Sequence, residues 1–244
     1  MTPAERSSLI NIRRLVKAFD YMPVLRGIDL SIDRGEFVAL LGPNGSGKST
    51  LIRLIAGLSR PTGGKIQVGG WELPGEAMAV RAQIGLVSHK TLLYDNLTAY
   101  ENLRFFARLY NLPHKQAHDR VMEMLNQVGL SRRAHSLTRT FSRGMYQRLT
   151  IARALLHDPD VLLMDEPYTG LDQDASMILD TLLAEAHNGS RTIIMSTHQL
   201  DRAAQLSSRV IILSRGDIGF DAPTHSIDHL PTIYTDTTSM ATAR

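Results

Sequence analysis

The stretch GPNGSGKST at residues 42–50 combines glycines, a lysine and hydroxyl side chains in a pattern that suits the binding of phosphate groups. It follows the apolar run FVALL (37–41), and a helical pattern opens at Ser49, so a strand precedes the stretch and a helix follows it. Glycines let several backbone N–H groups point at one anion, and a helix N-terminus adds partial positive charge. We expect Lys48 to reach the β- and γ-phosphates of a nucleotide and the Ser49 hydroxyl to ligate Mg²⁺. This setting argues against a plain glycine-rich turn. The predicted contact residues are Gly42, Pro43, Asn44, Gly45, Ser46, Gly47, Lys48, Ser49 and Thr50.

A second pattern, VLLMDE (161–166), is an apolar run that ends in two acids. Asp165 is expected to hold Mg²⁺ through water, and Glu166 to face the γ-phosphate as general base for the attacking water. The alternative is a buried strand whose end simply becomes polar. The presence of a phosphate loop in the same chain favours the functional interpretation.

A third pattern, FSRGM (141–145), lies just before the convincing helix YQRLTIARALL. Ser142 occupies an N-cap position, and Gly144 leaves backbone exposed in the first turn. A hydroxyl and bare N–H groups at a helix start form a second anion site. Taken alone, the same residues are also compatible with an ordinary serine cap.

Composition limits the kinds of protein that this chain can be. Its 244 residues suffice for one sizeable α/β domain, and its 43% apolar and 21% charged content is that of a globular protein. A formal net charge of +3 gives no argument for nucleic acid as a partner, and the absence of cysteine excludes disulfides and thiolate metal sites. The apolar runs are far shorter than the roughly 18 residues of a membrane helix. We therefore expect no membrane span, although the chain could dock to a protein that has one.

The elements that must position these patterns alternate along the chain. Short apolar runs read as strands and alternate with segments of helical period, which predicts a parallel sheet covered by helices. The first 35 residues and KIQVGG (65–70) predict a small antiparallel layer, and residues 92–157 predict a helical insert. The tail from about 221 shows no period, and we expect it to be poorly ordered. The predicted helical segments are 48–57, 98–110, 115–128, 142–156 and 173–187.

In order and spacing, these patterns resemble the ATP-binding-cassette (ABC) ATPases over about residues 8–223. The resemblance rests on the phosphate loop, the helical insert, SxG before QRxxIARAL, a strand ending in DE, then GLD and a histidine after a strand. It implies an α/β P-loop NTPase core with a parallel sheet, a small antiparallel β layer and a helical subdomain at about 92–157. Residues 224–244 would then form a C-terminal tail.

The same resemblance assigns roles to further residues. Phe19 would stack on adenine, with Tyr21 as a rival, and Asp172 would lie in the D-loop, where it could also cap a helix. Ser142 and Gly144 would contact the γ-phosphate as the family's signature. His198, after the strand TIIMST, would be the switch histidine.

Two features depart from the family pattern. His89 in LVSHK stands where the family usually has glutamine near the metal, so we expect His89 at the Mg²⁺ site, with a histidine turned to solvent as the alternative. In FSRGM, Arg143 and Met145 replace glycine and glutamine, which places a cation beside the signature.

The resemblance implies an ATPase that uses ATP and Mg²⁺ and powers a membrane transporter from the cytoplasmic face of the membrane. Its partners would be a second copy or a related ATPase subunit, together with separate transmembrane subunits, and no nucleic acid. The arm at 92–110 is the expected docking surface, although its Leu103, Phe106 and Tyr110 stripe also suits the core of the insert. His89, FSRGM and DEPYTGLD together resemble the ATPases of haem exporters in cytochrome c maturation. The alternative is the ATPase of a drug or lipid exporter, and a soluble cassette ATPase acting on nucleic acid or ribosomes is disfavoured.

Overall fold

The computed structural model describes residues 8–88 and 92–239. In these residues, the strands are β1 (Ser8–Phe19), β2 (Met22–Asp33), β3 (Phe37–Leu41), β4 (Gly63–Val68), β5 (Trp71–Leu73), β6 (Ile84–Val87), β7 (Val161–Asp165), β8 (Thr192–Ser196), β9 (Arg209–Ser214) and β10 (Asp217–Pro223). The helices are α1 (Lys48–Ile55), α2 (Ala77–Ala82), α3 (Ala99–Leu109), α4 (His114–Gln127), α5 (Arg143–Leu155), α6 (Gln173–Asn188), α7 (Leu200–Leu206) and α8 (Leu230–Ser239).

The larger sheet has the strand order β10-β9-β3-β8-β7-β6. Its neighbouring strands are parallel except β10, which runs antiparallel to β9 at the edge. Every residue of β3, β7 and β8 is buried, as expected of apolar strands covered on both faces. This order places the carboxyl ends of β3, β8 and β7 side by side.

The smaller sheet is antiparallel, with the order β2-β1-β4-β5. Buried side chains of this sheet share a core with α1 and one face of the larger sheet, including Leu25, Ile52, Ile66 and Leu163. The predicted fold class, a parallel P-loop core with a small antiparallel layer and helices, is confirmed.

The segment between β6 and β7 is helical. A capping box starts α3, in which Thr98 Oγ1 accepts from Glu101 N and the Glu101 carboxylate accepts from Thr98 N. Leu103 of α3, Val121 of α4 and Leu149 of α5 are fully buried in one cluster with Met164 of β7. The insert is therefore packed onto the sheet through α5, and the five predicted helices are confirmed with ends shifted by no more than two residues.

The expectation of a poorly ordered tail is wrong for residues 224–239. A 3₁₀ turn at Thr224–Ser226 leads into α8. Leu230 is buried, and Ile233 and Tyr234 pack with it into a cluster that includes Leu200 of α7. These three residues stand at i, i+3 and i+4, a helical period that the surrounding threonines obscured because threonine has low helix propensity.

Candidate functional site

The backbone of the phosphate loop is held in a conformation that suits glycine. Gly42 has φ of 144°, and a Cβ there would lie 2.2 Å from the Leu213 carbonyl oxygen. Gly47 has φ of 109°, and a Cβ there would lie 2.6 Å from Leu25 Cδ2. Side chains at these positions would collide with β9 of the larger sheet and β2 of the smaller sheet. The two glycines are therefore needed because the loop lies close to both strands.

Lys48 is buried at the base of this loop. Its Nζ donates to the carbonyl oxygens of Gly42 at 2.7 Å and Pro43 at 3.2 Å. Burial lowers the pKa of Lys48, and the negative charges of Glu166 and Asp165 oppose that shift. Ser46 Oγ is also buried and has no partner among the described residues, so the loop offers both a cation and a spare hydroxyl to an anion.

Ser49 and Asp165 meet although 116 positions separate them: Ser49 Oγ donates to Asp165 Oδ1 at 3.0 Å. Ser196, at the end of β8, donates from its Oγ to the same Oδ1 at 2.7 Å. A hydroxyl and a carboxylate are the hard oxygen ligands that Mg²⁺ prefers. The donor set therefore fits the ion predicted for this place.

Glu166 and His198 also meet at the carboxyl edge of the sheet. His198 Nδ1 lies 2.9 Å from Glu166 Oε2, with the histidine side chain 65% exposed and the glutamate side chain 18% exposed. Glu166 has φ of 51°, and its N–H bonds to Ser196 Oγ at 3.0 Å. Because β7 and β8 are parallel neighbours, with Asp165 paired to Ser196, the residues that follow each strand come together. The bond to Ser196 holds Glu166 in this sparsely populated backbone conformation.

The signature stretch forms the start of α5. Ser142 is its N-cap, and its Oγ accepts from Met145 N at 3.3 Å. A Cβ on Gly144 would lie 3.3 Å from Ala175 Cβ, in the first turn of α6. Asp172 caps α6 by accepting from Ala175 N at 2.8 Å. The start of α5, which carries the signature, therefore lies next to the start of α6, which Asp172 caps.

Arg143, the departure from the family signature, packs against the loop that follows Glu166. A Cβ on Gly170 would lie 2.2 Å from the Arg143 guanidinium carbon. A larger residue at position 170 would therefore collide with the arginine side chain. Arg143 also lines a cleft with Gln147, Asp165 and Glu166. The cation and the two acids of the second pattern therefore line one cleft.

The phosphate loop opens onto a different cleft. Its described lining consists of Val24, Asn44, Gly45, Gly47, Lys48, Ser49, Thr50 and Glu166. None of these described lining residues comes from FSRGM. Glu166 lines both clefts, so they adjoin at this residue, and Ser142 and Gly144 are not among the described lining residues of either.

The residues considered for adenine lie on the turn between β1 and β2. Phe19 is 52% exposed, with Lys17 Nζ 4.6 Å from its ring centroid, and Tyr21 is fully exposed. Neither is among the described residues that line the phosphate cleft. His89, the other predicted metal residue, lies outside the described residues.

Sequence reasoning missed Ser196, which joins Asp165 to the backbone of Glu166. The available signal was a serine directly after the buried apolar run TIIM. It also missed Gln147, whose Nε2 donates to the Pro167 carbonyl at 3.0 Å and ties α5 to the segment after Glu166.

Curated relatives match most of this chain. It is 38% identical over 211 residues to the linearmycin resistance ATP-binding protein LnrL of Bacillus subtilis, covering 86% of this chain and 68% of that protein. It is 37% identical over 207 residues to the ABC transporter ATP-binding protein NatA of Bacillus subtilis, covering 84% and 82%. The daunorubicin resistance ATP-binding protein DrrA3 of Streptomyces coeruleorubidus is 36% identical over 202 residues, covering 83% and 64%.

Solved structures share the fold. An ATP-binding subunit of an ABC transporter superposes with a TM-score of 0.85 at 31% identity, covering 96% of this chain and all of that chain. A dimeric ATP-binding cassette in a post-hydrolysis state, bound to ADP and Pi, superposes with a TM-score of 0.81 at 28% identity, covering 89% and 100%. Residues 25–169 match the ABC transporter family. The chain thus belongs to that family, as an ATP-binding subunit that binds ATP with Mg²⁺ and hydrolyses it.

Proposed function

We propose that this chain is the ATP-hydrolysing subunit of an exporter of drug-like or lipid-like molecules. Two of the three relatives above are named for resistance to linearmycin and to daunorubicin. Those names favour the drug or lipid exporter over the haem exporter that short stretches of the sequence resemble.

The contact between Glu166 and His198, 2.9 Å long, is the observation that carries the catalytic assignment. Glu166 lies in the lining of the phosphate cleft, where its carboxylate can accept a proton from an attacking water. His198 holds that carboxylate in place, and Lys48 with the loop N–H groups binds the phosphates. Asp165 and Ser49 would hold Mg²⁺, which supplies charge neutralisation at the phosphates when bound.

We further propose that Ser142 and Gly144 act on the ATP of a second copy. Both lie at a helix start outside their own chain's phosphate cleft, and Ser142 is exposed. Asp172 caps the neighbouring helix and would line the same interface. The similar cassette with ADP and Pi is dimeric, which supports this arrangement. His89 as a further metal residue and Phe19 as the adenine contact stay predictions from the sequence.

The membrane part of the exporter would come from separate transmembrane subunits, and this chain would act at the cytoplasmic face of the membrane. Across residues 8–88 and 92–239, no helix combines the length and apolar composition needed to cross a membrane. Leu103 and Phe106 of the helical arm are buried in the insert core, whereas Leu92, Phe105 and Leu109 of the same arm are exposed. We propose that this exposed set contacts the membrane subunits.

The Glu166→Gln variant tests the catalytic assignment. We expect ATP binding to persist and hydrolysis to fall by at least about a hundredfold, because the amide cannot accept the proton. Size-exclusion chromatography with ATP should show an accumulated dimer. Glu123→Gln is the matched control, since Glu123 is an acid on α4, 51% exposed and paired with Arg120. Near wild-type hydrolysis in Glu166→Gln would refute the assignment.

The cargo class is tested in cells that lack the chain. We expect increased sensitivity to amphiphilic drugs, restored by the wild type but not by Glu166→Gln, with c-type cytochromes present at normal levels. Loss of c-type cytochromes without a change in drug sensitivity would contradict the proposal and support haem export. A gentle-detergent pull-down should recover membrane subunits, and recovery of ribosomes or nucleic acid instead would overturn the transporter assignment.

A further inference from the structure

Three side chains, Tyr168, Asp180 and Arg202, form a polar cluster beside the carboxyl edge of the larger sheet, where Glu166 and His198 meet. The Tyr168 hydroxyl donates to Asp180 Oδ1 at 2.5 Å, and the Arg202 guanidinium donates to both oxygens of the same carboxylate. The Arg202 guanidinium carbon also lies 4.2 Å from the centroid of the Tyr168 ring. Each member of the cluster therefore contacts the other two.

The side chains of the cluster are mostly shielded from solvent. Tyr168 is 4% exposed, and the side chains of Arg202 and Asp180 are 25% and 33% exposed. Burial and the Asp180 carboxylate together raise the pKa of the tyrosine, which stays a neutral donor. Both Arg202 hydrogen bonds to Asp180 come from the one nitrogen Nη1. The guanidinium also lies over the Tyr168 ring, so the arginine is held by two kinds of contact, unlike most single surface ion pairs.

Each member comes from a segment that carries one of the proposed functional residues. Tyr168 lies two residues after Glu166, and a turn in which Thr169 N donates to the Glu166 carbonyl at 3.2 Å joins them. Asp180 lies on α6, the helix that Asp172 caps. Arg202 lies on α7, four residues after His198. The cluster thus joins the segments around Glu166, Asp172 and His198.

The segment with His198 depends most on this contact. The His198 side chain is 65% exposed, so packing does little to place it. Helix α7 has seven residues, of which Ala203 is buried and Leu200 and Leu206 are half-buried against hydrophobic clusters. Helices this short are marginal without side-chain contacts, and Arg202 supplies the polar ones. On the other side, Glu166 is already fixed by its N–H bonds to the Ser196 carbonyl at 3.2 Å and hydroxyl at 3.0 Å. Loss of Arg202 would therefore displace His198 more than Glu166.

We propose that Tyr168, Asp180 and Arg202 form a clasp that holds His198 against Glu166, with Arg202 as a positioning residue for ATP hydrolysis. The inference rests on the proposed roles of Glu166 and His198. The clasp acts on the rate of the chemical step and leaves binding of the nucleotide to the phosphate loop unchanged, because its members lie outside the described lining of that cleft.

The test compares Arg202→Gln with Arg191→Gln. Arg191 is a matched control: its side chain is 24% exposed against 25% for Arg202, and it pairs with Asp158 at the opposite end of the sheet. We expect kcat to fall by about ten- to a hundredfold in Arg202→Gln, because a displaced catalytic group costs rate. KM for ATP should stay within about twofold of the wild-type value, because Arg202 lies outside the described lining of the phosphate cleft and binding of the nucleotide there is not altered. Arg202→Lys should recover part of kcat.

Hydrogen–deuterium exchange gives a readout of position. Amides of residues 197–203 should exchange faster in Arg202→Gln than in the wild type, and remain unchanged in Arg191→Gln. If both variants lose similar thermal stability and keep the same kcat, the clasp is structural only and the inference is wrong.

Two further variants keep the outcome decisive. If Arg202→Gln does not fold, Tyr168→Phe removes one hydrogen bond and retains the buried ring; a lower kcat supports the clasp, and an unchanged kcat overturns it. Glu166→Gln separates the two levels of proposal. Hydrolysis by Glu166→Gln would refute the catalytic assignment itself, whereas an inactive Glu166→Gln with a normal Arg202→Gln would refute the clasp alone.

Discussion

At the scale of single residues, the phosphate loop depends on the buried positive charge of Lys48. Lys48 is 6% exposed, and its ammonium group is held by two loop carbonyls at 2.7 and 3.2 Å. Burial lowers its pKa, while the nearby carboxylates of Glu166 and Asp165 favour the charged form. The result is a cation whose position is set before the phosphates arrive, which makes its attraction for them strong.

We expect Lys48→Ala to lower hydrolysis by at least about a hundredfold, the usual effect of removing a preorganised donor at a charged transition state. Lys65→Ala is the control, because the Lys65 side chain is 72% exposed and pairs with Glu72 on the small antiparallel sheet. Steady-state ATPase assays and nucleotide-binding titrations of both variants give the comparison. Equal activity of the two variants would show that the loop does not bind the reacting phosphates.

At the scale of elements, a half-buried histidine links the helical insert to the sheet. His157 follows α5 and stacks on Tyr110 after α3, with ring centroids 3.7 Å apart and an angle of 11° between the planes. Its Nε2 lies 3.2 Å from the Ile84 carbonyl oxygen at the start of β6. Burial lowers the pKa of His157 to about 4, so the ring is neutral at neutral pH and donates from Nε2 to that carbonyl.

This pKa predicts how stability changes with pH. Between about pH 6.5 and pH 4 the unfolded chain binds a proton at His157 and the folded chain does not, so the free energy of unfolding falls as pH falls through this window. The loss attributable to this residue is about 3 kcal/mol at most. His157→Phe keeps a ring against Tyr110, and its stability should fall less over the same window. Denaturant unfolding of both proteins at several pH values measures the difference; parallel curves would contradict the prediction.

At the scale of the whole molecule, the anion-binding ends of two helices lie in different places. The N-terminus of α1 faces the phosphate cleft, whereas Ser142 at the start of α5 lies outside the described lining of that cleft. This placement supports the proposal that a single chain does not bring its two sites onto one nucleotide. Two copies arranged head to tail would do so twice, in a closed symmetric dimer.

Mixing two inactive variants tests this arrangement. We expect Ser142→Arg to stop hydrolysis while the isolated monomer binds nucleotide with nearly wild-type affinity, and Lys48→Ala to be inactive at its own loop. A mixed dimer holds one intact site and one doubly altered site, so an equimolar mixture should regain up to about a quarter of wild-type activity if copies exchange at random. A large loss of nucleotide affinity in monomeric Ser142→Arg would instead show that Ser142 serves its own site.

The local chemistry of this protein could be predicted from the sequence because each motif is continuous. A buried strand, a glycine loop and a helix follow one another at 37–55, and an apolar run ends in two acids at 161–166. Periodicity also predicted the main helices, since a helix is specified by residues three and four positions apart. Where the period was short and surrounded by threonines, as in α8, the prediction failed.

Only the tertiary structure decided which distant residues meet. Ser49 lies against Asp165, and Glu166 against His198, because β8 is inserted between β3 and β7 and all three strands end at one edge. No spacing along the chain specifies that order, since parallel strands are joined through long crossovers and pair by burial of their faces. The contact of Arg143 with Gly170 and the cluster at Arg202 arise in the same way, from the packing of helix starts against the loops that follow the strands.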